Sequence, residues 1–160
     1  MIAVMAVDLQ NGIGKDGGLL CHLPGDLKHF RELTMGKTVI LGRKTLATFP
    51  GGRPLVGRRN IILTRDPDFA CEGAAVCHSV DEVRAVCADV PADEVCVIGG
   101  GTVYDQFLPY THKLELTRIE RRFDADTFFP FEEEDWTMTE QSELIEENGI
   151  AYRYCTYARR

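Results

Sequence analysis

Short runs of apolar residues alternate along the chain with segments in which apolar residues recur every three or four positions. The short runs predict buried strands, which we place at Ile2–Val7, Val39–Gly42, Asn60–Thr64 and Glu94–Ile98. The longer segments predict helices, which we place at Pro24–Met35, Arg43–Thr48, Ser79–Cys87 and Thr102–Phe107. Pro24 suits the first position of a helix, and Ser79 with Glu82 forms a capping-box pattern.

After residue 112 the apolar residues begin to alternate with polar ones. Leu114, Leu116 and Ile119 predict a strand, and two later segments predict a hairpin that turns at Asn148-Gly149. These two segments are Thr137–Glu143 and Ala151–Ala158. We therefore predict a single α/β domain over residues 1–160. It has a mostly parallel central sheet, an antiparallel C-terminal edge strand and helices on both faces.

Composition excludes several classes of protein. The chain has 160 residues, of which 44% are hydrophobic and 27% charged, which is typical of globular domains and excludes disordered and fibrous chains. It has no apolar run long enough to cross a bilayer, and its first residues lack the basic region of a signal peptide. Its net charge of −7 argues against a nucleic-acid partner.

Acidic residues, cysteines and histidines suggest no further site. We interpret the acidic residues between Glu132 and Glu147 as solvent-exposed surface without a functional role. The six cysteines have no Cys-x-x-Cys spacing, so we expect small buried thiols in a reducing cytoplasm. The four histidines are scattered, so we expect no metal site.

The carboxyl ends of the predicted strands carry glycines or positive charge, and this is where ligands of open α/β sheets bind. Gly99–Gly101 lies between a strand and a helix, where glycine lets the backbone approach a pyrophosphate closely. A tight turn is the alternative, but it needs fewer glycines. Arg43, Lys44 and Arg65 follow two other strands and could bind the 2′-phosphate of NADP. Solvated surface charge is the alternative for each of them alone.

Asp26 falls in the first turn of a predicted helix. It is there either as a partner of the helix dipole or as a functional carboxylate, and the pattern alone leaves both open. Gly12–Gly17 matches G-x-G-x-x-G, but no helix begins at this point, so a mobile loop is favoured over a dinucleotide fingerprint. Gly36-Lys37-Thr38 lacks the upstream glycine of a P-loop, which excludes an ATPase of that type.

The chain resembles the dihydrofolate reductases in motifs that follow the family's order and span nearly the whole length. These motifs are Val7-Asp8 with Gly12-Ile13-Gly14, Leu23–Leu27, Val39–Thr45, Gly57–Leu63, Val97–Tyr104 and Asp126–Pro130. The resemblance implies NADPH-dependent reduction of 7,8-dihydrofolate to tetrahydrofolate, with hydride transfer to pterin C6 and protonation of N5. It implies a cytoplasmic monomer that supplies one-carbon metabolism and binds antifolate inhibitors.

The resemblance also implies the residues that bind substrate. Asp26 matches the active-site carboxylate, which pairs with pterin N3 and the 2-amino group, and Thr117 matches the threonine that orients it. Arg58 matches the arginine that binds the substrate α-carboxylate, and Arg53 is a peripheral candidate for the same tail. The other substrate-binding residues that the resemblance implies are Val4, Ala6, Phe30 and Ile98.

The cofactor site is implied in the same way. The residues that match it are Ala6, Ile13, Gly14, Leu19, Gly42, Arg43, Lys44, Thr45, Thr64, Arg65, Ile98, Gly99, Gly100, Gly101, Thr102, Val103, Tyr104 and Thr127. The family has a cis peptide between the glycines that match Gly99 and Gly100. The loop Gly14–Leu23 is expected to close over the nicotinamide, and burial is expected to raise the pKa of Asp26, so that the rate falls at high pH.

The sequence departs from the family pattern at Cys21, where the family has tryptophan, and at Leu46, where an aromatic residue is common. A thiol is smaller than an indole and a weaker donor. Two alternatives stand beside the reductase. One is the related pyrimidine reductase of riboflavin synthesis. What counts against it is the presence of Asp26, Arg58 and the loop motif. The other is an inactive folate- or NADP-binding protein, with Cys21 as its mark.

Overall fold

Eleven strands and four helices form the fold in the computed structural model, which describes all of residues 1–160. The strands are β1 (Ile2–Val7), β2 (Gly12–Gly14), β3 (Thr38–Gly42), β4 (Arg59–Leu63), β5 (Ala74–Cys77), β6 (Val95–Gly99), β7 (Lys113–Ile119), β8 (Thr127–Phe128), β9 (Trp136–Gln141), β10 (Ile145–Glu147) and β11 (Ile150–Arg159). The helices are α1 (Pro24–Thr34), α2 (Arg43–Ala47), α3 (Val80–Val86) and α4 (Gly101–Phe107). Short 3₁₀ turns lie at Pro50–Gly52, Ala92–Glu94, Leu108–Tyr110 and Glu133–Asp135.

Nine of the strands form one sheet in the order β10-β11-β7-β1-β6-β3-β4-β5, in which β9 also pairs with β11. The strands from β7 to β5 run parallel, and β11 is antiparallel to β7. The predicted sheet, mostly parallel with an antiparallel C-terminal strand, is confirmed. The outermost position on that side belongs to β9 and β10, which both pair with β11.

Helices cover both faces of the sheet, as predicted. Successive residues of a strand point to opposite sides, and both sides of the central strands carry apolar residues that the helices cover. Met5 of β1 packs in one apolar cluster with Val83 of α3 and Phe107 of α4. Its neighbour Val4 packs in a second cluster with Leu46 of α2, and the apolar side of α1 lies against this cluster. The core therefore consists of two layers, one on each side of the sheet.

The C-terminal hairpin turns where the sequence predicts. Asn148 and Gly149 have φ values of +54° and +75°, which is the left-handed pair that a two-residue type I′ turn requires. The predicted first arm, Thr137–Glu143, covers β9 but not β10, which is the strand that leads into the turn. Between these two strands the Ser142 hydroxyl accepts the backbone N–H of Tyr154 at 2.9 Å and interrupts the ladder.

Besides β10, three short strands were not predicted. β5 forms the parallel edge beside β4, and its alanines give it little of the β-branched character that marks a strand. β2 and β8 pair with each other in a separate two-stranded ribbon. β2 lies in the glycine-rich loop that follows β1, so this loop is anchored at its start. The ribbon brings that loop to the carboxyl end of β6.

Candidate functional site

Asp26 and Thr117 meet at the junction of α1 with the sheet. Asp26 lies in the first turn of α1, and Thr117 is a buried residue of β7. The Thr117 hydroxyl donates a hydrogen bond of 2.5 Å to Oδ1 of Asp26. Burial raises the pKa of Asp26, although the Thr117 hydrogen bond and the charge of His29 oppose that rise, while Glu147 adds to it. The structure thus holds an oriented carboxyl group that takes up a proton more readily than usual.

A cavity of about 30 Å³ opens beside the Asp26 carboxyl group. Apolar side chains form the rest of its wall, and these are Ala6, Ile13, Leu19, Leu20, Cys21, Leu23, Leu27 and Ile119. Ala6, Ile13 and Leu19 were predicted to be site residues, and the structure brings them together with Asp26. Leu27 is 42% exposed and Leu19 69% exposed, so apolar surface is available to a ligand beside a single carboxyl group.

Sequence reasoning missed Leu20, Leu23, Leu27 and Ile119 as wall residues. The signal that could have found them is the apolar run that precedes Pro24, directly before the helix that carries Asp26. Cys21, the residue that departs from the family, lies in the same wall and is half-buried. Burial raises the pKa of its thiol, and the charge of Asp26 raises it further. The cysteine therefore stays neutral in the physiological range of pH.

Val4, Phe30 and Ile98 lie together on the α1 side of the sheet. Val4 and Ile98 belong to one buried cluster, and Phe30 packs against it from α1. The buried Tyr104 hydroxyl donates a hydrogen bond of 2.7 Å to the Val4 carbonyl, which ties β1 to α4. Three of the predicted substrate residues therefore form one apolar wall, one helical turn beyond Asp26.

Arg58 joins the other end of α1. Its guanidinium donates to the Thr34 hydroxyl at 3.2 Å and to the Val56 carbonyl at 3.0 Å. Partial burial and the charge of Arg31 lower its pKa. The charges of Arg58 and Arg31 thus lie near the same end of α1. Arg31 was not among the predicted site residues. Arg53, the peripheral candidate, is exposed after the Pro50–Gly52 turn and has no hydrogen bond to α1.

The glycine triplet links β6 to α4. The Gly99–Gly100 peptide bond is cis, and Gly99 has a φ of +126° that favours glycine. A Cβ on Gly101 would lie 2.6 Å from Cγ2 of Thr127, so packing also requires glycine there. Ile13 and Thr45 approach the triplet from β2 and α2. At the start of α4 the N–H groups of Gly101 and Thr102 have no acceptor within the helix, whereas those of Val103 and Tyr104 both donate to the Gly100 carbonyl at 3.0 Å.

The basic residues lie where β3 and β4 end. Gly42 precedes α2, Arg43 and Lys44 are exposed in its first turn, and Thr64 and Arg65 follow β4. Arg43 is not free, because its guanidinium forms an ion pair of 3.0 Å with Asp66 and lies 4.5 Å from the centre of the Phe69 ring. Asp66 was not predicted, because it lies three positions beyond the last residue of β4.

The interpretation of the acidic segment is wrong for Glu147. This residue is half-buried, and its carboxylate accepts the backbone N–H of Gly25 at the start of α1.

No group of three or more histidine, cysteine or acidic side chains is arranged to hold a metal ion. None of the helices has both the length and the apolar character that a membrane span requires.

Comparison with known proteins identifies the family. A family model described as dihydrofolate reductase matches residues 1–159. A dihydrofolate reductase of Bacillus subtilis is 37% identical over 98% of this chain and 93% of its own length, and a type 3 dihydrofolate reductase of Salmonella typhimurium is 38% identical over 98% and 96%. A dihydrofolate reductase structure from Enterococcus faecalis, complexed with NADP(H) and RAB-propyl, superposes with a TM-score of 0.88 at 39% identity and covers 99% of this chain and 95% of that one. The chain therefore belongs to the dihydrofolate reductase family.

Proposed function

We propose that Asp26, oriented by Thr117, is the catalytic carboxyl group of an NADPH-dependent reduction of 7,8-dihydrofolate to tetrahydrofolate. The observation that carries this proposal is the Asp26–Thr117 pair at the edge of an apolar cavity. A carboxylate is acceptor-only and can pair with two adjacent N–H groups. The N3 and 2-amino groups of a pterin present such a pair, and the apolar wall suits the faces of the ring.

The two ends of α1 match the two ends of the substrate. Asp26 lies in the first turn of the helix, and Arg58 is bonded to Thr34 at its last residue. These positions are eight residues apart, which is about 12 Å along a helix. Phe30 lies between them and packs on the wall formed with Val4 and Ile98. A ligand with an amidine-like ring at one end, an aromatic middle and an anionic tail fits this order.

The residues at the strand ends fit a phosphorylated dinucleotide. Arg43, Lys44 and Arg65 supply positive charge, and the start of α4 supplies the N–H groups of Gly101 and Thr102, which have no acceptor within the helix. We assign the basic residues, with Gly42, Thr45 and Thr64, to the adenosine phosphate. We assign the triplet at Gly99–Gly101 and the segments around it to the pyrophosphate and ribose. These segments are Ile13-Gly14, Leu19, Thr102–Tyr104 and Thr127. NADPH, when bound, supplies the hydride.

Asp26 is the residue of the cavity wall that we assign to the protonation of the substrate. Asp26 and Cys21 are the titratable residues of the cavity wall, and the pKa of Cys21 is raised above its usual value. Burial raises the pKa of Asp26 above the ordinary value of a carboxyl group. A carboxyl group in this state favours proton delivery, so the rate is expected to fall as the pH rises.

The test is loss of NADPH absorbance with dihydrofolate as the substrate, compared with the ribosylamino-pyrimidine of riboflavin synthesis. We expect turnover with dihydrofolate alone. Asp26→Asn is expected to lose most of that turnover at pH 7 while NADPH still binds, because the amide keeps the shape of the carboxyl group but not its proton chemistry. Turnover of the pyrimidine would favour the related reductase. Binding of both ligands without turnover in the wild type would favour an inactive binding protein.

We further propose that the chain acts as a monomer in the cytoplasm and that antifolate inhibitors bind beside Asp26. One chain supplies every residue assigned to the site, which supports a monomer. All six cysteines are free thiols, which suits a reducing compartment. Sedimentation at working concentration tests the first of these statements, and competition between an antifolate and dihydrofolate tests the last.

A further inference from the structure

The C-terminal hairpin reaches the first turn of α1 through Glu147. Both carboxylate oxygens of Glu147 accept the backbone N–H of Gly25, at 3.1 and 3.2 Å. Leu23, which precedes the helix, offers no polar side chain to cap it, and the first N–H groups of any helix need acceptors from outside. Glu147 therefore caps the turn that carries Asp26 from a position 122 residues away.

Two tyrosines of β11 complete this contact. The Tyr152 hydroxyl donates to Glu147 at 3.4 Å, and the Tyr154 hydroxyl donates to the Gly25 carbonyl at 3.4 Å. The Tyr154 ring also stacks on His29 of α1, with ring centres 3.6 Å apart. A Cβ on Gly25 would lie 3.0 Å from the Tyr152 hydroxyl and 3.3 Å from both Glu147 oxygens. The hairpin and α1 thus approach as closely as a glycine allows.

Asp26 is faced by groups from every element packed around it. The charged or titratable ones are His29 of α1, Glu147 of β10, Tyr152 and Tyr154 of β11, and Cys21 of the preceding loop. Burial raises the pKa values of both tyrosines and of the cysteine, so these groups are neutral. The net charge felt by Asp26 is therefore set by His29 and Glu147, which act in opposite directions.

We propose that Glu147 is a positioning residue for Asp26, which holds the first turn of α1 in place and whose negative charge disfavours ionisation of the Asp26 carboxyl group. The first effect follows from the two contacts to Gly25, since the next residue along the helix is Asp26. The second follows from like charge, because a negative neighbour disfavours ionisation of a carboxyl group. This inference rests on the catalytic role proposed above for Asp26.

The test compares Glu147→Gln with Glu146→Gln. The amide of the first variant keeps an oxygen that can accept the Gly25 N–H but removes the charge. Glu146 is exposed on the same hairpin and has no hydrogen bond to α1, so its neutralisation reports the general effect of one lost surface charge. Two quantities are measured against pH. One is kcat for dihydrofolate reduction, and the other is the ¹³C NMR signal of the Asp26 carboxyl group, assigned with Asp26→Asn.

In Glu147→Gln we expect the midpoint of the kcat–pH profile and the midpoint of the NMR titration to move to lower pH. Activity is then lost earlier as the pH rises. In Glu146→Gln we expect both to stay near the wild-type value, and KM for NADPH to be unchanged in either variant. An NMR midpoint that stays in place in Glu147→Gln, or that moves equally in both variants, overturns the electrostatic part of the proposal. The NMR titration needs no turnover, so an inactive wild type would count against the proposed function alone.

Glu147→Ala separates position from charge. It removes the acceptor as well as the charge, so it should repeat the shift in midpoint and also raise KM for dihydrofolate above that of Glu147→Gln. The added rise is expected because the first turn of α1 loses its cap while the cofactor residues at β3 and β4 are untouched. Equal KM values for dihydrofolate in the two variants would overturn the positioning part.

Discussion

The carboxylate of Asp66 lies 3.0 Å from the guanidinium of Arg43, at the subsite that we assign to the 2′-phosphate of the cofactor. The carboxylate is itself held in place, since it accepts the backbone N–H of Asp68 at 2.9 Å. The phosphate and Asp66 therefore compete for one cation. About half of each side chain in this ion pair is exposed, so the competition is weak.

Asp66→Asn should lower KM for NADPH by up to about five-fold, the range expected from an exposed ion pair of about 0.2–1 kcal/mol. KM for NADH should hardly change, because NADH has no 2′-phosphate. Arg43→Gln should raise KM for NADPH by about ten-fold or more, since a charge-assisted hydrogen bond contributes about 1.5–3 kcal/mol. Steady-state kinetics with both cofactors measure these effects. Equal changes for NADPH and NADH would contradict the assignment of Arg43.

Asp26→Asn should make the protein more stable at neutral pH. The folded state raises the pKa of Asp26 by burying it, so folded protein binds more protons than unfolded protein at pH values between the ordinary carboxyl pKa of 3.8 and the raised value. The stability of the wild type therefore falls as the pH rises through that window. The asparagine side chain of Asp26→Asn does not ionise, so the variant does not lose stability in this way.

Urea unfolding of the wild type and Asp26→Asn at several pH values tests this prediction. The advantage of the variant should be full above the raised pKa and should shrink to nothing as the pH falls below 3.8, the ordinary value. An advantage that stays constant with pH would mean that the carboxyl group is not the cause.

Gly12→Ala should destabilise the fold by about 1–3 kcal/mol, the usual cost of overpacking. A Cβ at this position would lie 2.5 Å from Cβ of Ala125 and 2.9 Å from Oδ2 of Asp8. The Asp8 carboxylate cannot easily move, because it accepts the backbone N–H groups of Gly12 at 2.8 Å and Phe123 at 3.1 Å. Gly18→Ala is the matched control, since the nearest atom to its Cβ would be the Lys15 carbonyl oxygen at 3.7 Å. Similar unfolding free energies for the two variants would contradict the crowding.

Cys21→Ala should retain kcat/KM for dihydrofolate close to that of the wild type, because the thiol is neutral and Asp26 remains in place. Cys21→Trp should destabilise the protein by about 1–3 kcal/mol and lower kcat/KM. The cavity beside Cys21 has a volume of about 30 Å³, which is room for water but not for an indole. Loss of activity in Cys21→Ala would give the thiol a direct role.

The parts of the site that the sequence could predict are those built from adjacent residues. The apolar runs predicted the parallel strands, and their carboxyl ends located the glycine triplet and the basic residues. Asp26 could be placed in a first helical turn, but its partner Thr117 is 91 positions away and was predicted only through the resemblance to the family.

Contacts that depend on the register of distant strands were beyond the sequence pattern. Glu147 lies in an acidic segment whose other members are mostly exposed, and nothing local separates it from Glu146. Its approach to Gly25 follows from the position of the Asn148-Gly149 turn and from the pairing of β11 with β7. Whether a charged side chain in such a run is exposed to solvent therefore has to be established for each residue separately.

The central position of β1 has a consequence for how the chain acquires its fold during synthesis. Ile2 pairs with Cys96 on one side and with Lys113 on the other, so β1 pairs with two strands that are synthesised after it. At about 5–20 residues per second, the 94 positions between Ile2 and Cys96 correspond to a delay of about 5–20 s. During that time the apolar residues of β1 have no native partner. During synthesis β1 is therefore an exposed apolar segment to which a chaperone can bind.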